Sequence, residues 1–104
     1  MKKAAVFFVM LLVLVVCGSI GTAQEIDGKI LYQPCAGCHG ETGETMALGS
    51  SAKLKGQTAD QILKKLNGYA DGTYGGSKKN IMTSIIKRMS EEARVKVSEY
   101  ISTF

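Results

Sequence analysis

The chain's only histidine, His39, directly follows two cysteines separated by two residues, in the order Cys35-Ala-Gly-Cys38-His39. A Cys-x-x-Cys-His run is the attachment signature of a c-type haem. On a helix this spacing sets both thiols about one turn apart, where they can reach the two haem vinyl groups, and holds the imidazole beneath the iron. The motif therefore predicts a fold built around one covalent haem c, with Cys35 and Cys38 as its thioethers and His39 as an axial ligand.

Two other uses of these residues are less well supported. A disulfide or a thioredoxin-like redox pair would need the same cysteines, but the βαβ pattern that presents such a pair is missing from the sequence. A structural zinc site needs four ligands, and two cysteines with one histidine leave it one short. Haem attachment is favoured over both.

The first 23 residues have the pattern of an export signal. Lys2 and Lys3 precede an apolar run from Ala4 to Val16, which is shorter than the about 20 residues of a membrane-spanning helix. The small residues of Gly21-Thr22-Ala23 predict cleavage before Gln24. We expect a signal peptide at 1–23, a single domain at 24–104 and a periplasmic location.

Two alternatives for the N-terminal segment stay open. Cys17 could be acylated after cleavage, although lipoprotein signals prefer a small residue before the cysteine and Val16 stands there. The segment could also be retained as an anchor. In the favoured interpretation Cys17 is removed with the signal, and the mature protein has no stable membrane insertion.

The mature chain would have 81 residues, few enough that its own core gives only marginal stability. A covalently attached haem would add the missing buried surface. Eleven basic and nine acidic residues remain after position 23, a net charge of +2, and two haem propionates bring this close to zero. The charge therefore gives no reason to expect a nucleic-acid partner, and we expect a monomer.

Helical periodicity dominates the first half of the mature chain. Asp27 is placed to cap a first helix, which Pro34 should kink or end early. Residues 40–56 are polar and contain glycine, which indicates a loop. Thr58-Ala-Asp-Gln61 then has the spacing of a capping box at the start of a second helix. Gly68 is the expected end of that helix.

The second half continues the all-α pattern. Residues 69–80 are rich in glycine and predict a loop that turns tightly or lies close against another group. A short helix is expected over residues 84–89. Ser90 is placed to cap a last helix in which Ala93, Val97 and Ile101 repeat every four residues. The predicted fold is thus a small all-α domain of four helices with long loops.

The sixth iron ligand has to come from another residue type, because the chain has no second histidine. Met46 lies seven residues after His39, so the chain would struggle to reach the opposite haem face there. Met89 is more naturally a core residue. Met82 follows a helix and a glycine-rich loop that can carry the chain round to the distal side. Position alone favours Met82, although any methionine can simply fill a gap in a core.

Over the whole mature chain the sequence resembles the class I cytochromes c, and among them the small low-potential periplasmic type of sulfate-reducing bacteria. The segments that carry the resemblance are Leu31-Tyr-Gln-Pro-Cys-Ala-Gly-Cys-His-Gly40, Leu54-Lys-Gly-Gln57, Gly68-Tyr-Ala-Asp-Gly-Thr-Tyr-Gly-Gly76 and Met82-Thr83. The resemblance implies the class I fold and places the axial methionine of that family on Met82. It also implies a close crossing of the first and last helices, where Gly28 and Tyr32 would meet Val97 and Tyr100.

The sequence departs from many members of that family in two respects. The only proline, Pro34, precedes the motif, so no proline carbonyl follows it to accept from the imidazole of His39. We expect a carbonyl between residues 49 and 56 in that role. The chain also has no tryptophan to bond a propionate. Tyr69 or Tyr74 could replace it, or could simply pack.

An iron ligated by both His39 and Met82 has no open position for a substrate. The expected function is therefore outer-sphere transfer of single electrons by a carrier, not enzymatic catalysis. The resemblance implies periplasmic formate dehydrogenase, hydrogenase or a terminal oxidase as redox partners. The alternative is a haem peroxidase or gas sensor in which Met82 leaves the iron.

Lysines are spread along the mature chain and could steer an acidic partner to the haem edge, or could simply be solvated. Those considered are Lys53, Lys55, Lys64, Lys65, Lys78, Lys79, Lys87 and Lys96.

Overall fold

The computed structural model describes residues 26–104, and the predicted signal peptide at 1–23 lies outside them. The described part of the chain is all-helical and contains no strand, which confirms the predicted all-α domain with four helices and long loops. The elements are α1 (Gly28–His39), a 3-10 helix (Ala47–Gly49), α2 (Ala59–Asp71), α3 (Lys79–Ile86) and α4 (Glu91–Ile101). None of the helices between residues 26 and 104 is long and apolar enough to span a membrane.

Three of the four helices begin where their capping residues predicted. The side chain of Asp27 accepts from the backbone N–H of Lys29 at 2.9 Å. Thr58 and Gln61 form the reciprocal capping box, with bonds of 3.1 and 3.0 Å. The Ser90 hydroxyl caps α4 by accepting from a backbone N–H in its first turn. These bonds satisfy N–H groups that have no partner inside the helix.

Pro34 does not end α1 early, so that one of the two outcomes expected of it, a kink or an early end, is wrong. The helix continues through it to His39. A proline removes the bond to the carbonyl four residues earlier, which here belongs to Ile30. Because Ile30 is 62% exposed, water can take the place of the missing donor. The continuation matters for function because it keeps the whole Cys35–His39 motif on one helix.

The predicted end of α2 at Gly68 is also wrong. The helix runs to Asp71 and ends at Gly72, which has the left-handed conformation (φ 81°, ψ 8°) typical of a glycine C-cap. Gly68 is instead buried within the helix, where a Cβ would lie 2.5 Å from the Cβ of Tyr74. Its missing side chain lets the following loop fold back onto α2.

The third helix begins five residues earlier than predicted and ends three residues earlier, at Lys79–Ile86 instead of 84–89. Met82 is therefore on a helix, and Met89 lies in the short connection to α4. No side chain caps the start of α3, so a capping pattern could not have located it. The helix packs on α2 and buries Ile86 in the core.

The first and last helices cross closely at Gly28, as the family resemblance implied. A Cβ on Gly28 would collide with the backbone carbonyl oxygen of Lys96 and lie 2.9 Å from the Cβ of Tyr100. Tyr32 packs beside this crossing, with ring centroids 5.8 Å from Tyr100 and 4.9 Å from Phe104. Tyr32 also belongs to the buried cluster of Ile62, Leu66, Ile86, Val97 and Ile101.

The helices form a chain of packed pairs. α1 packs on α4, α4 packs on α2, and α2 packs on α3. Arg94 of α4 joins two of these elements, because Nε donates to Asn67 Oδ1 of α2 at 2.8 Å and Nη1 donates to the Met89 carbonyl at 2.9 Å. In contrast, α1 and α3 are not extensively packed on each other. They form separate walls of the space described next.

Candidate haem site

A large cleft of about 610 Å³ opens between α1, the loop before α2, α2 itself, α3 and α4. This volume is within the range of small-molecule and cofactor pockets. Its deeper lining is apolar and includes Leu54, Ile62, Leu66, Ile86, Val97 and Ile101. The two predicted thioether cysteines and the two predicted iron ligands all line this one cleft: Cys35, Cys38, His39 and Met82.

His39 lies in the last turn of α1 and is only 7% exposed. Burial lowers the pKa of its imidazole from the ordinary value, because a charged ring is costly away from water. The neutral ring that results is the form that binds metals. Its Nδ1 is buried and has no hydrogen-bond partner within the described residues, so the acceptor that we expected between residues 49 and 56 is not in place.

Cys35 and Cys38 lie in the second half of α1, both as free thiols. Cys35 is half-buried, and burial, with a smaller effect from Cys38, raises the pKa of its thiol. Thiol oxidoreductases need the opposite, a thiolate stabilised near a helix N-terminus. Cysteines close to a helix C-terminus face the negative end of the dipole. The raised thiol pKa and the position near the helix C-terminus disfavour a thiol–disulfide function.

The three candidate methionines differ in their positions. Met82 on α3 and Met89 after it both line the cleft and pack against the buried core. Met46 is 46% exposed and is not part of the cleft lining. The structure therefore brings Met82 to the same cleft as His39. Met89, which the sequence indicated as a core residue, is a second thioether in that cleft.

The charged groups of the cleft are all basic. Lys65, Lys78 and Lys79 line it, and no aspartate or glutamate does. Tyr69 and Tyr74 also line it and pack edge to face, with centroids 5.0 Å apart, which is the packing alternative proposed for them. Within residues 26–104 no group of three or more His, Cys, Asp or Glu side chains could hold a free metal ion.

Two polar features of the cleft were not identified from the sequence: the Ser51 hydroxyl, and the pairing of Gln57 with Lys65, which the sequence indicated only as a surface charge. The Ser51 hydroxyl is buried and has no partner in the described range. Lys65 Nζ donates to Gln57 Oε1 at 2.5 Å, and both residues line the cleft. No local motif marks this pair, because its members are eight residues apart in a loop and a helix.

The residues present fit a covalently bound haem c. The cleft combines an apolar interior, two free thiols one helical turn apart and a buried imidazole. Burial lowers the pKa of the imidazole and so favours its neutral form, and its Nδ1 has no hydrogen-bond partner among the described residues. A flat apolar group with acidic substituents matches both the apolar lining and its basic border.

Comparison with known proteins agrees with this assignment. The family model for cytochrome c matches residues 26–104. Cytochrome c-553 of Nitratidesulfovibrio vulgaris is 43% identical over 97 residues, which cover 89% of this chain and 95% of the relative. Cytochrome c-553 of Desulfomicrobium norvegicum is 37% identical over 77% of this chain and 98% of the relative. That of Helicobacter pylori strain J99 is 31% identical over 88% and 95%. The chain thus belongs to the cytochrome c family, is of the c-553 type, and has covalently bound haem c as its cofactor.

Proposed function

We propose that the protein is a periplasmic single-electron carrier, with haem c attached through Cys35 and Cys38 and its iron ligated by His39 and Met82. One observation carries the proposal: His39 on α1 and Met82 on α3 line the same apolar cleft, although the two helices are not extensively packed together. They can therefore approach a flat group from separate walls. Members of the cytochrome c family carry electrons, and the names of the relatives are consistent with that role.

The bound cofactor supplies a one-electron iron couple. The chain's own residues decide how that couple is used. Ile62, Ile86 and Val97 are almost fully buried and form an apolar floor that excludes water. His39 is held by the continuous α1 and Met82 by α3. With both side chains bound to the iron, no position would be left for a substrate. A thioether ligand favours the reduced iron relative to a second imidazole.

Removing the Met82 thioether tests the ligand assignment. The oxidised wild-type holoprotein should have a weak near-infrared charge-transfer band from sulfur to iron, and Met82→Ala should abolish it because no thioether remains on the iron. Met46→Ala is the matched control, since Met46 is exposed and does not line the cleft. We expect Met46→Ala to keep the band.

A third variant tests the other thioether of the cleft. Met89→Ala should keep the near-infrared band if Met82 is the ligand. Loss of the band in Met89→Ala, with retention in Met82→Ala, would transfer the role to Met89. A wild-type protein without the band at neutral pH would contradict closed His-Met ligation and favour the peroxidase or gas-sensing alternative.

The proposed partners are periplasmic redox proteins, with formate dehydrogenase, hydrogenase and a terminal oxidase as the candidates. The exposed Lys78 and Lys79 border the cleft, which would place positive charge near the electron-transfer edge and steer an acidic partner. Raising the ionic strength should then slow reduction of the carrier by its partner, because salt screens exposed charges. A rate that does not change with salt would contradict steering.

A further inference from the structure

A lysine and a glutamine form an ordered polar group on the wall of the cleft. Lys65 of α2 is partly buried, and its Nζ donates to Gln57 Oε1 at 2.5 Å. The amide of Gln57 is fixed in turn, because its Nε2 donates to the backbone carbonyl of Lys53 at 2.7 Å. Gln57 thus links the loop backbone to the ammonium of Lys65 and holds that charge at the cleft.

Two residues of the cleft lining, Lys65 and Ser51, have donors that can take a further partner. An ammonium has three N–H donors, and Gln57 accepts from only one of them. Ser51, on the same loop, contributes a buried hydroxyl that has no partner among the described residues. The cleft lining contains no carboxylate. Since buried polar groups almost always have partners, the Ser51 hydroxyl calls for an acceptor that enters from the cleft. The two remaining N–H donors of the partly buried Lys65 can donate to a group in the same cleft.

We propose that Lys65, positioned by Gln57, binds a propionate carboxylate of the haem, with the Ser51 hydroxyl as a second donor. This inference rests on the proposed function. A carboxylate is an acceptor-only anion, so it satisfies both donors and neutralises the charge of Lys65. Lys78 and Lys79 are weaker candidates because both are exposed, and Lys79 Nζ already donates to the Gly72 carbonyl at 3.3 Å.

The arrangement has a consequence for the reduction potential. Reduction adds a negative charge to the cofactor, and a nearby unpaired propionate opposes that charge. An ammonium bound to the propionate offsets the repulsion and so favours the reduced form. Lys65 would therefore raise the potential of the carrier without contacting the iron.

The midpoint potential of the holoprotein, measured by spectroelectrochemistry, tests the proposal. Lys65→Gln should lower the equilibrium constant for reduction by about threefold or more, about 30 mV for a one-electron couple. Lys64→Gln is the matched control: it removes the same charge from the adjacent, exposed position of α2, which is not part of the cleft lining. Lys64→Gln should shift the midpoint potential by less than half of the shift caused by Lys65→Gln.

Two further variants separate a charge effect from structural damage. Lys65→Arg keeps the positive charge, so its midpoint potential should stay close to that of the wild type. Gln57→Ala changes no charge but frees the ammonium, so it should lower the potential by part of the Lys65→Gln effect. If Lys65→Gln cannot be produced as a haem-containing protein, the potential of Gln57→Ala tests the proposal in its place.

Equal potentials for Lys65→Gln and Lys64→Gln, in proteins that retain covalent haem and the near-infrared band, would overturn this inference alone. A wild-type protein without covalent haem would instead overturn the proposed function.

Discussion

Gly28→Ala tests the helix crossing that holds α1 in place. The methyl group would collide with the backbone carbonyl oxygen of Lys96, lie 3.1 Å from its carbonyl carbon and lie 2.9 Å from the Cβ of Tyr100. The two Lys96 atoms belong to the backbone of α4, so they cannot rotate away as a side-chain tip can. The helices must separate, or α1 must slide along α4.

The size of the effect follows from two opposing contributions. Forcing a methyl group into a packed contact costs about 1–3 kcal/mol of folding free energy. Alanine gains about 0.5–1 kcal/mol over glycine inside a helix, but Gly28 is the first residue of α1, where this gain is smallest. We expect a net loss of about 1–2 kcal/mol, which lowers the melting temperature of a domain this small by roughly 5–15 °C.

Thermal and urea denaturation of the holoprotein, followed by far-ultraviolet circular dichroism, measures this loss. Gly37→Ala is the control on the same helix, because a Cβ there meets nothing within 4 Å. It should leave stability unchanged or raise it by about 0.5–1 kcal/mol. A Gly28→Ala protein as stable as the wild type would refute the close crossing.

Three further substitutions have defined outcomes. Gly68→Ala would push Tyr74 off α2 and should cost about 1–3 kcal/mol in urea denaturation. Ser90→Ala removes the cap of α4 and should cost about 1 kcal/mol in the same assay. Burial raises the pKa of Tyr32 from 10.0 to about 12, so the unfolded chain loses this proton first. Wild-type stability should therefore fall by about 2–3 kcal/mol between pH 10 and 12. Tyr32→Phe should lack that component of the alkaline loss.

The helix starts were the most predictable part of the fold because their signals are local. A capping side chain bonds to an N–H two or three residues further on, so Asp27, Thr58 and Ser90 carry the information within one turn. The start of α3 has no capping side chain. That helix forms because Ile86 is buried against α2, and such a contact between distant segments leaves no short pattern in the sequence.

The helix ends were predicted poorly for a related reason. Gly68 and Pro34 are both residues that commonly stop a helix, and neither does so here. Gly68 is needed because Tyr74 packs over it, and Pro34 is tolerated because the carbonyl that loses its partner belongs to an exposed residue. In both cases the surroundings of the residue outweigh its intrinsic preference.

The site could be predicted only as far as its residues are close in the sequence. Cys35, Cys38 and His39 share one helical turn, so their order alone indicates the cofactor. Gln57 and Lys65 meet across a loop and a helix, and no spacing rule identifies them. Met82 could be predicted in part. Its distance from His39 along the chain made it the best candidate for the sixth ligand but did not predict that it lies on a helix.

The relative placement of the two proposed axial ligands depends on helices that carry neither of them. α1 and α3 are not extensively packed on each other. The position of α1 relative to α3 is therefore set by the contacts of α1 with α4, of α4 with α2 and of α2 with α3. Arg94 reinforces this link by bonding both Asn67 of α2 and the carbonyl of Met89. The crossing at Gly28 fixes α1 on α4. A shift there would move His39 relative to Met82, so the stability of the α1–α4 contact and the closure of the iron site are expected to change together.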